Sequence, residues 1–363
     1  MKNSLQSIST FIILSILCAI SCNTTNSKTT SKDNKNENIV KQKIDSILIS
    51  LNQNGKFNGN ILIAKNGQIL YKNEIGFSKS DKKTLLKETD QFNIGSIYKE
   101  IPAIAIMQLE EKGLLQLNDP IKKYFTNLPD WSMNIKIINL LQYTGGLPKI
   151  NWRNHKIIND QNLMNDLSKI SNLEFTPGED YLYTNYSPFL LSKIIENITN
   201  KTFSTYVTQN ILQPLRLKES TFKTSFPYEN SNSMAIPFNS EFEEDKLPFT
   251  IKSSIFLFST TTNDLFKFIE NLHSGKIINK NSLYKISKTE NLDHNNMQSA
   301  LGNVIYQKGE LTEHTHHGTS GNYESIISKN RINNTTVIIL TNSKNGNVHD
   351  IKNTILELLN SGE

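Results

Sequence analysis

Between residues 97 and 112 the chain is apolar around most of a helical circumference, and Gly113 ends the pattern. A helix of this kind has to be enclosed on most sides by other elements. Pro102, inside the stretch, offers no N–H to the carbonyl of Tyr98, so a local bend is expected.

The enclosing layers are legible on both sides of it. Residues 59–64 and 68–71 are apolar runs flanking Lys65-Asn66-Gly67, which reads as a β-hairpin. Before it, Val40, Ile44, Ile47, Leu48 and Leu51 recur at helical spacing, giving an amphipathic helix that packs on a sheet. Near the other end, residues 336–341 form a β-branched run, hence a buried strand. Further helices are expected over 186–198, 264–272 and 351–359. Strands at both ends with helices between them place the chain in the α/β class, its sheet closed by the N- and C-terminal segments, with a helical insertion. No internal repeat is visible, and the polar stretch 229–246 reads as a surface loop.

At 363 residues, 37% hydrophobic and 20% charged, the chain has room for one large domain or two lobes. Collagen, coiled coil and wholesale disorder are excluded. A net charge of +5 with no dense basic face excludes nucleic acid as the expected partner. Both cysteines, Cys18 and Cys22, fall in the first 22 residues, so a covalent nucleophile in the body has to be a hydroxyl, amine or carboxylate.

Lys2, the apolar run 11–20, and small Ala19 and Ser21 around Ile20 read as a secretory signal, residues 1–21. The run is too short to span a bilayer as a helix. Ala19-Ile20-Ser21-Cys22 also resembles the bacterial lipoprotein signal, with Ala19 where leucine is usual. The expectation is therefore an exported lipoprotein, membrane-anchored through acylated Cys22 and facing the periplasm or cell exterior; ordinary cleavage after Ser21 would instead leave a soluble product. Residues 23–38 contain no apolar side chain, so 22–38 are expected to form a flexible tether of about 20 Å average reach ahead of a domain over 39–363.

Three short patterns carry chemistry. Ser96-Ile97-Tyr98-Lys99 sets a hydroxyl and an amine three residues apart at the start of the apolar helix, after Gly95. Tyr183-Thr184-Asn185 follows the turn signal Pro177-Gly178, and His316-His317-Gly318 precedes Thr319. Each has echoes elsewhere. S-x-x-K recurs at Ser80/Lys83, Ser220/Lys223 and Ser282/Lys285, read as solvated surface; Tyr71/Asn73, Tyr228/Asn230 and His273-Ser274-Gly275 repeat the others. Order and flanking sequence have to decide.

They do. With Leu117-Asn118-Asp119-Pro120, Tyr143-Thr144-Gly145-Gly146-Leu147-Pro148 and Phe258-Ser259-Thr260 in sequence between them, the chain resembles the serine β-lactamase and D-alanyl-D-alanine peptidase superfamily, in the branch related to class C β-lactamases. The resemblance implies a β-lactamase/transpeptidase-like fold, an antiparallel sheet flanked by helices with a helical lobe. It implies Ser96 as nucleophile, Lys99 and Tyr183 as candidate bases, and Asn185, His316, Gly318 and Thr319 as substrate-binding residues. Asn185 would bond Lys99 and a substrate amide; His316 stands where many relatives carry lysine, orienting Tyr183 or binding an anionic group. The backbone N–H groups of Ser96 and Thr319 would form the oxyanion hole. A free lysine titrates near ~10.4 and a tyrosine near ~10, so a base at either position has to be shifted down.

His317 reads as a filler and His314 as a surface residue. A zinc site at His314, His316 and His317 is set aside, because Gly318 and Thr319 stand where the zinc-dependent pattern needs further ligands. No metal or other cofactor is expected. Bulky Ile255 and Phe256, where relatives often carry glycines, would narrow the cleft. The implied activity is hydrolysis of an ester, amide or D-amino-acid peptide bond through an acyl-enzyme, on a small-molecule or peptide substrate, by a monomer. A β-lactamase and a non-catalytic penicillin-binding or sensor module are the alternatives.

Overall fold

The computed structural model describes residues 29–229, 232–289, 292 and 297–361. The expected signal segment, Cys22 and the start of the tether lie outside the described residues. Six strands form the main sheet: β1 (Gly59–Lys65), β2 (Gln68–Ile75), β3 (Asn303–Gln307), β4 (Glu310–Ser320), β5 (Tyr323–Asn330) and β6 (Thr335–Thr341). Their order is β2-β1-β6-β5-β4-β3, every neighbouring pair antiparallel. β1 and β6 pair from Gly59↔Thr341 to Lys65↔Thr335, which joins the two ends of the chain as expected. In the hairpin turn Asn66 (φ 53°) and Gly67 (φ 75°) are both left-handed, the conformation a two-residue turn demands and Asn-Gly supplies.

Both faces of the sheet are covered at its centre, so β1 and β6 read as largely continuous apolar runs. Ile61 and Ile63 of β1 meet Ile44 and Leu48 of α1 (Thr29–Gln53) and Ile351 and Ile355 of α5 (Val348–Ser361). Leu62 and Ala64 point the other way, with Ile338 and Leu340, into the larger core. That core is shared with α2 (Glu100–Glu111), α3 (Tyr186–Thr199) and α4 (Thr262–His273), and α2 lies within it: Ala103 to Met107 have no exposed surface.

Three expectations are corrected. Residues 29–38, assigned to the tether, belong to α1. Once Val40, Ile44 and Leu48 hold the helix to the sheet, each residue added at its N-terminus needs only propagation, and Lys41 pairs with Glu37 one turn back at 2.6 Å. Pro102 sits in the first turn of α2, because residues Gly95–Lys99 form a separate 3-10 helix and the α-helix starts at Glu100. First-turn N–H groups have no intrahelical acceptor, so the proline removes no bond and the ground for a bend disappears. Residues 232–246 are fastened down: Met234, Ala235 and Phe238 are buried, the Tyr323 hydroxyl donates to the Ala235 carbonyl, and Asp245 accepts from the backbone N–H of Asn322 at 2.7 Å.

The 3-10 helix meets the sheet at two glycines. A Cβ on Gly318 would stand 2.1 Å from the carbonyl oxygen of Ile94, and one on Gly95 (φ +53°) would stand 2.3 Å from the backbone N of Thr319. Gly318→Ala is expected to destabilise the fold by about 1–3 kcal/mol, the usual cost of overpacking. A lower urea midpoint at unchanged slope checks this; an unchanged midpoint would mean that helix and strand are not held in this contact.

Candidate active site

The ladder between β3 and β4 stops at Asn303↔Thr315, which leaves the outer edge of β4 open beyond that point. The 3-10 helix Gly95–Lys99 docks there. The backbone N of Ser96 lies 2.8 Å from where a Gly318 Cβ would be, so the N–H groups of Ser96 and Thr319 flank one backbone-to-backbone contact.

A 3-10 helix has three residues per turn, so positions i and i+3 eclipse, and Ser96 and Lys99 stand directly one above the other. Lys99 Nζ donates to Ser96 Oγ at 2.9 Å. The ammonium is 3% exposed and lies 4.7 Å and 4.9 Å from the ring centres of Tyr98 and Tyr183. Burial disfavours its charged form and pushes the amine down to about 7.

Tyr183 is half-buried just ahead of α3, its hydroxyl in hydrogen-bonding reach of Ser96. Burial pushes the phenol above its usual range by more than the Ser96 bond lowers it. The segment carrying it is fixed by the Tyr143–Pro148 turn. Leu182 N–H donates to the Tyr143 carbonyl at 2.9 Å, Gly178 N–H to that of Thr144 at 2.8 Å, and the Thr184 hydroxyl to that of Pro148 at 2.6 Å. Tyr143 takes the left-handed conformation (φ 59°) and lays its ring 4.7 Å from that of Tyr183.

Asn185 occupies the N-cap of α3 yet makes no side-chain capping bond. Its Oδ1 accepts from the Tyr98 hydroxyl at 3.4 Å, where the expected partner was Lys99. Under Tyr98, Phe256 packs edge-on at 5.8 Å and also meets Trp152 at 5.1 Å, so bulky Phe256 is buried as the support of the cleft wall.

Strand alternation sorts the histidines of β4. His314, His316 and Gly318 share the buried face toward α2, and His314, expected at the surface, has no exposure at all. Period-two reading from His316 would have found it. His317 points to the other face, where its Nε2 meets Glu324 at 3.0 Å and its ring lies 4.9 Å from that of His349; it cannot join the other two histidines at one metal. The residue missed in the sequence is Glu100. It is fully buried, and its Oε1 bonds both His316 Nδ1 (2.8 Å) and His314 Nε2 (3.0 Å). The sequence shows only a carboxylate directly after Lys99 ahead of an apolar stretch, with nothing local to mark its partners on β4. The donor atoms of Glu100, His314 and His316 fall within 4.8 Å of one another, and each of the two nitrogens meets the carboxylate at hydrogen-bonding distance. Burial works to raise the Glu100 carboxyl, and the two imidazoles outweigh it and hold the group below its usual range.

Two of the other S-x-x-K pairs are not solvated surface as expected: Ser220 and Ser282 are buried. Neither holds its lysine. Lys223 reaches Ser233 at 3.3 Å and Lys285 pairs with Glu110 at 2.6 Å.

Because the folded Lys99 titrates near 7 and the unfolded one near ~10.4, the unfolded chain binds the extra proton between those values, and stability rises with pH across that window. Below it the penalty is complete. Lys99→Met is therefore expected to raise the thermal midpoint more at pH 6 than at pH 9; an equal gain at both would show that the amine is not desolvated.

A family model described as Beta-lactamase matches residues 44–360. Protein flp of Staphylococcus aureus (strain MW2) is 29% identical over 324 residues, covering 84% of this chain and 64% of flp, so the chain spans less than two thirds of that relative. Among solved structures, a penicillin binding protein from Bacillus halodurans matches with TM-score 0.75 at 21% identity, over 86% of this chain and 98% of its own. The D-amino acid amidase from Ochrobactrum anthropi SV3, solved with L-phenylalanine amide, matches with TM-score 0.74 at 18% identity, over 89% and 99%. At such identities these structures speak for the fold alone. The chain belongs to the Beta-lactamase family of serine hydrolases, and its antiparallel sheet with flanking helices is the α/β fold of class C β-lactamases and penicillin-binding proteins.

Proposed function

We propose that this chain hydrolyses an ester, amide or D-amino-acid peptide bond through an acyl-enzyme on Ser96. The observation that carries the reading is the buried Lys99 amine, 2.9 Å from Ser96 Oγ and lowered to about 7. An amine in that range is partly unprotonated at neutral pH, and a serine hydroxyl needs such a base to become a nucleophile.

Lys99 takes the hydroxyl proton as Oγ attacks the substrate carbonyl. The oxyanion forms between the N–H groups of Ser96 and Thr319, each worth about 3–4 kcal/mol in such sites. As the carbon–heteroatom bond breaks, the Lys99 proton passes to the leaving group by way of the Tyr183 hydroxyl, which its raised pKa keeps protonated and able to donate. Water then attacks the ester by the reverse proton path, freeing the acid and Ser96. Asn185 and His316 line the substrate side. The likeness to a D-amino acid amidase and to a penicillin binding protein supports an acyl donor of the D-amino-acid kind. The reading includes export and a lipid anchor at Cys22, with one monomer per anchor.

The test is turnover of a nitrophenyl ester, a D-Ala-D-Ala peptide and a chromogenic cephalosporin by the full chain, with fluorophosphonate labelling in parallel. Ser96→Ala is expected to abolish labelling and turnover, and the wild-type labelling rate to rise with pH through about 7 as Lys99 loses its proton. Equal rates in wild type and Ser96→Ala would remove the enzyme, and a dominant cephalosporin rate would make it a β-lactamase. For the anchor, Cys22→Ala is expected to move the protein from the detergent phase to the aqueous phase; a wild type already in the aqueous phase would refute acylation.

A further inference from the structure

Beneath the acylation site lies a chain of buried side chains that the steps above do not use. His273, the last residue of α4, sets its Nε2 3.0 Å from His314 Nδ1. His314 Nε2 and His316 Nδ1 then converge on the single oxygen Oε1 of Glu100.

Each of these contacts requires one proton, and the ionised carboxylate has none to give. His314 therefore carries its proton on Nε2 and His316 on Nδ1. The contact between His273 Nε2 and His314 Nδ1 likewise carries one proton, held by either nitrogen, and the chain ends at His273 Nδ1. That atom is indeed buried without a partner. One carboxylate thus fixes the donor nitrogen of both His314 and His316, and a neutral ring at His273 or His316 keeps one bare nitrogen. Burial favours the same state at both ends: it pushes His273 down to about 2, and it lowers His316 by more than Glu100 raises it. Positive charge at His314 and Lys99 adds to that lowering.

His316 has no freedom to change this assignment by swinging away. A Cβ on Gly302 (φ +72°) would stand 2.8 Å from His316 Cγ, so the backbone at 302 lies directly on the ring. With Nδ1 donating to Glu100, the neutral ring keeps its lone pair on the other nitrogen, Nε2, which the hydrolase reading above turns toward the substrate.

We propose that Glu100 sets the charge of the substrate: by fixing His316 as a neutral acceptor it makes the site take acyl donors that present an uncharged amide N–H at that position, and disfavour those that present a carboxylate. This rests on the hydrolase reading above. An amide N–H donates to Nε2. A carboxylate offers only acceptors, so on entering it would exchange its hydration for a lone pair with a buried anion behind it.

The experiment compares two D-alanyl-D-alanine peptides, identical except that one ends in a free carboxylate and the other in a carboxamide. The full-length wild type is expected to favour the carboxamide at least tenfold in kcat/KM. Glu100→Gln, whose amide can donate to His316 Nδ1 and turn Nε2 into a donor, is expected to cut the preference below about threefold; His316→Lys is expected to reverse it. Because the readout is a ratio, loss of folded enzyme cancels, so a merely structural role for Glu100 would leave the preference unmoved. Equal or faster turnover of the carboxylate peptide by wild type overturns the inference, as does a ratio unchanged in both variants. Fluorophosphonate labelling at Ser96 separates the two readings. No labelling sinks the hydrolase itself, whereas labelling without turnover of either peptide sinks only this inference.

Discussion

The chemistry of this molecule depends on the contact between Gly95 and Gly318. An open sheet edge is ordinarily a liability, a row of unpaired backbone groups ready to join another strand. Here β3 ends opposite Thr315, and the uncovered part of β4 receives the Gly95–Lys99 helix so closely that neither residue has room for a side chain. That closeness brings the Ser96 and Thr319 N–H groups side by side. It also buries the base of the helix, so the placement of Ser96 and the lowering of Lys99 have one cause.

A second consequence follows from helix type. Had residues 95–99 been α-helical, Ser96 and Lys99 would be offset by about 60° around the axis, given about 100° per residue. The 3-10 winding removes the offset and brings amine and hydroxyl into direct contact. The same winding moves the start of α2 to Glu100. It thereby turns Pro102 from a defect in mid-helix into a harmless first-turn residue, and sets the Glu100 carboxylate under β4.

Legibility in the sequence followed the strength of local signals. Asn66-Gly67, the β-branched run of β6 and the periodic helices stand out because period and turn chemistry act over a few residues; β6, α3 and α4 match their expected bounds to within two residues, while α2 and α5 each start three residues away from theirs. Ser96, Lys99, Tyr183 and His316 were readable because their motifs occur in order, and the fold brings them to one place. Glu100 was not, because its partners are 214 and 216 positions away and nothing local marks a buried carboxylate as paired. His314 differs from its surface expectation for another reason: the strand alternation that buries His316 buries it as well. The extension of α1 was missed because composition describes an isolated tract, whereas a helix already anchored at Val40 changes what its neighbours need in order to order themselves.

Lys99 and Tyr183 share one environment and respond to it in opposite directions. Desolvation penalises charge, so it drives an amine toward neutrality by lowering its pKa and a phenol toward neutrality by raising it. The sequence asked that one of two candidate bases be shifted down; burial can do this for the lysine and only the opposite for the tyrosine. In the free site the amine is therefore the group able to take a proton, and the phenol the group able to hand one on. Once Lys99 has accepted the Ser96 proton, an ammonium stands 4.9 Å from the Tyr183 ring in a setting with little solvent to screen it. In the proposed reaction that cation would favour the phenolate and ease transfer through Tyr183 toward the leaving group. On the proposed mechanism the order of proton movement is thus set by burial before any substrate arrives: hydroxyl to amine first, phenol second.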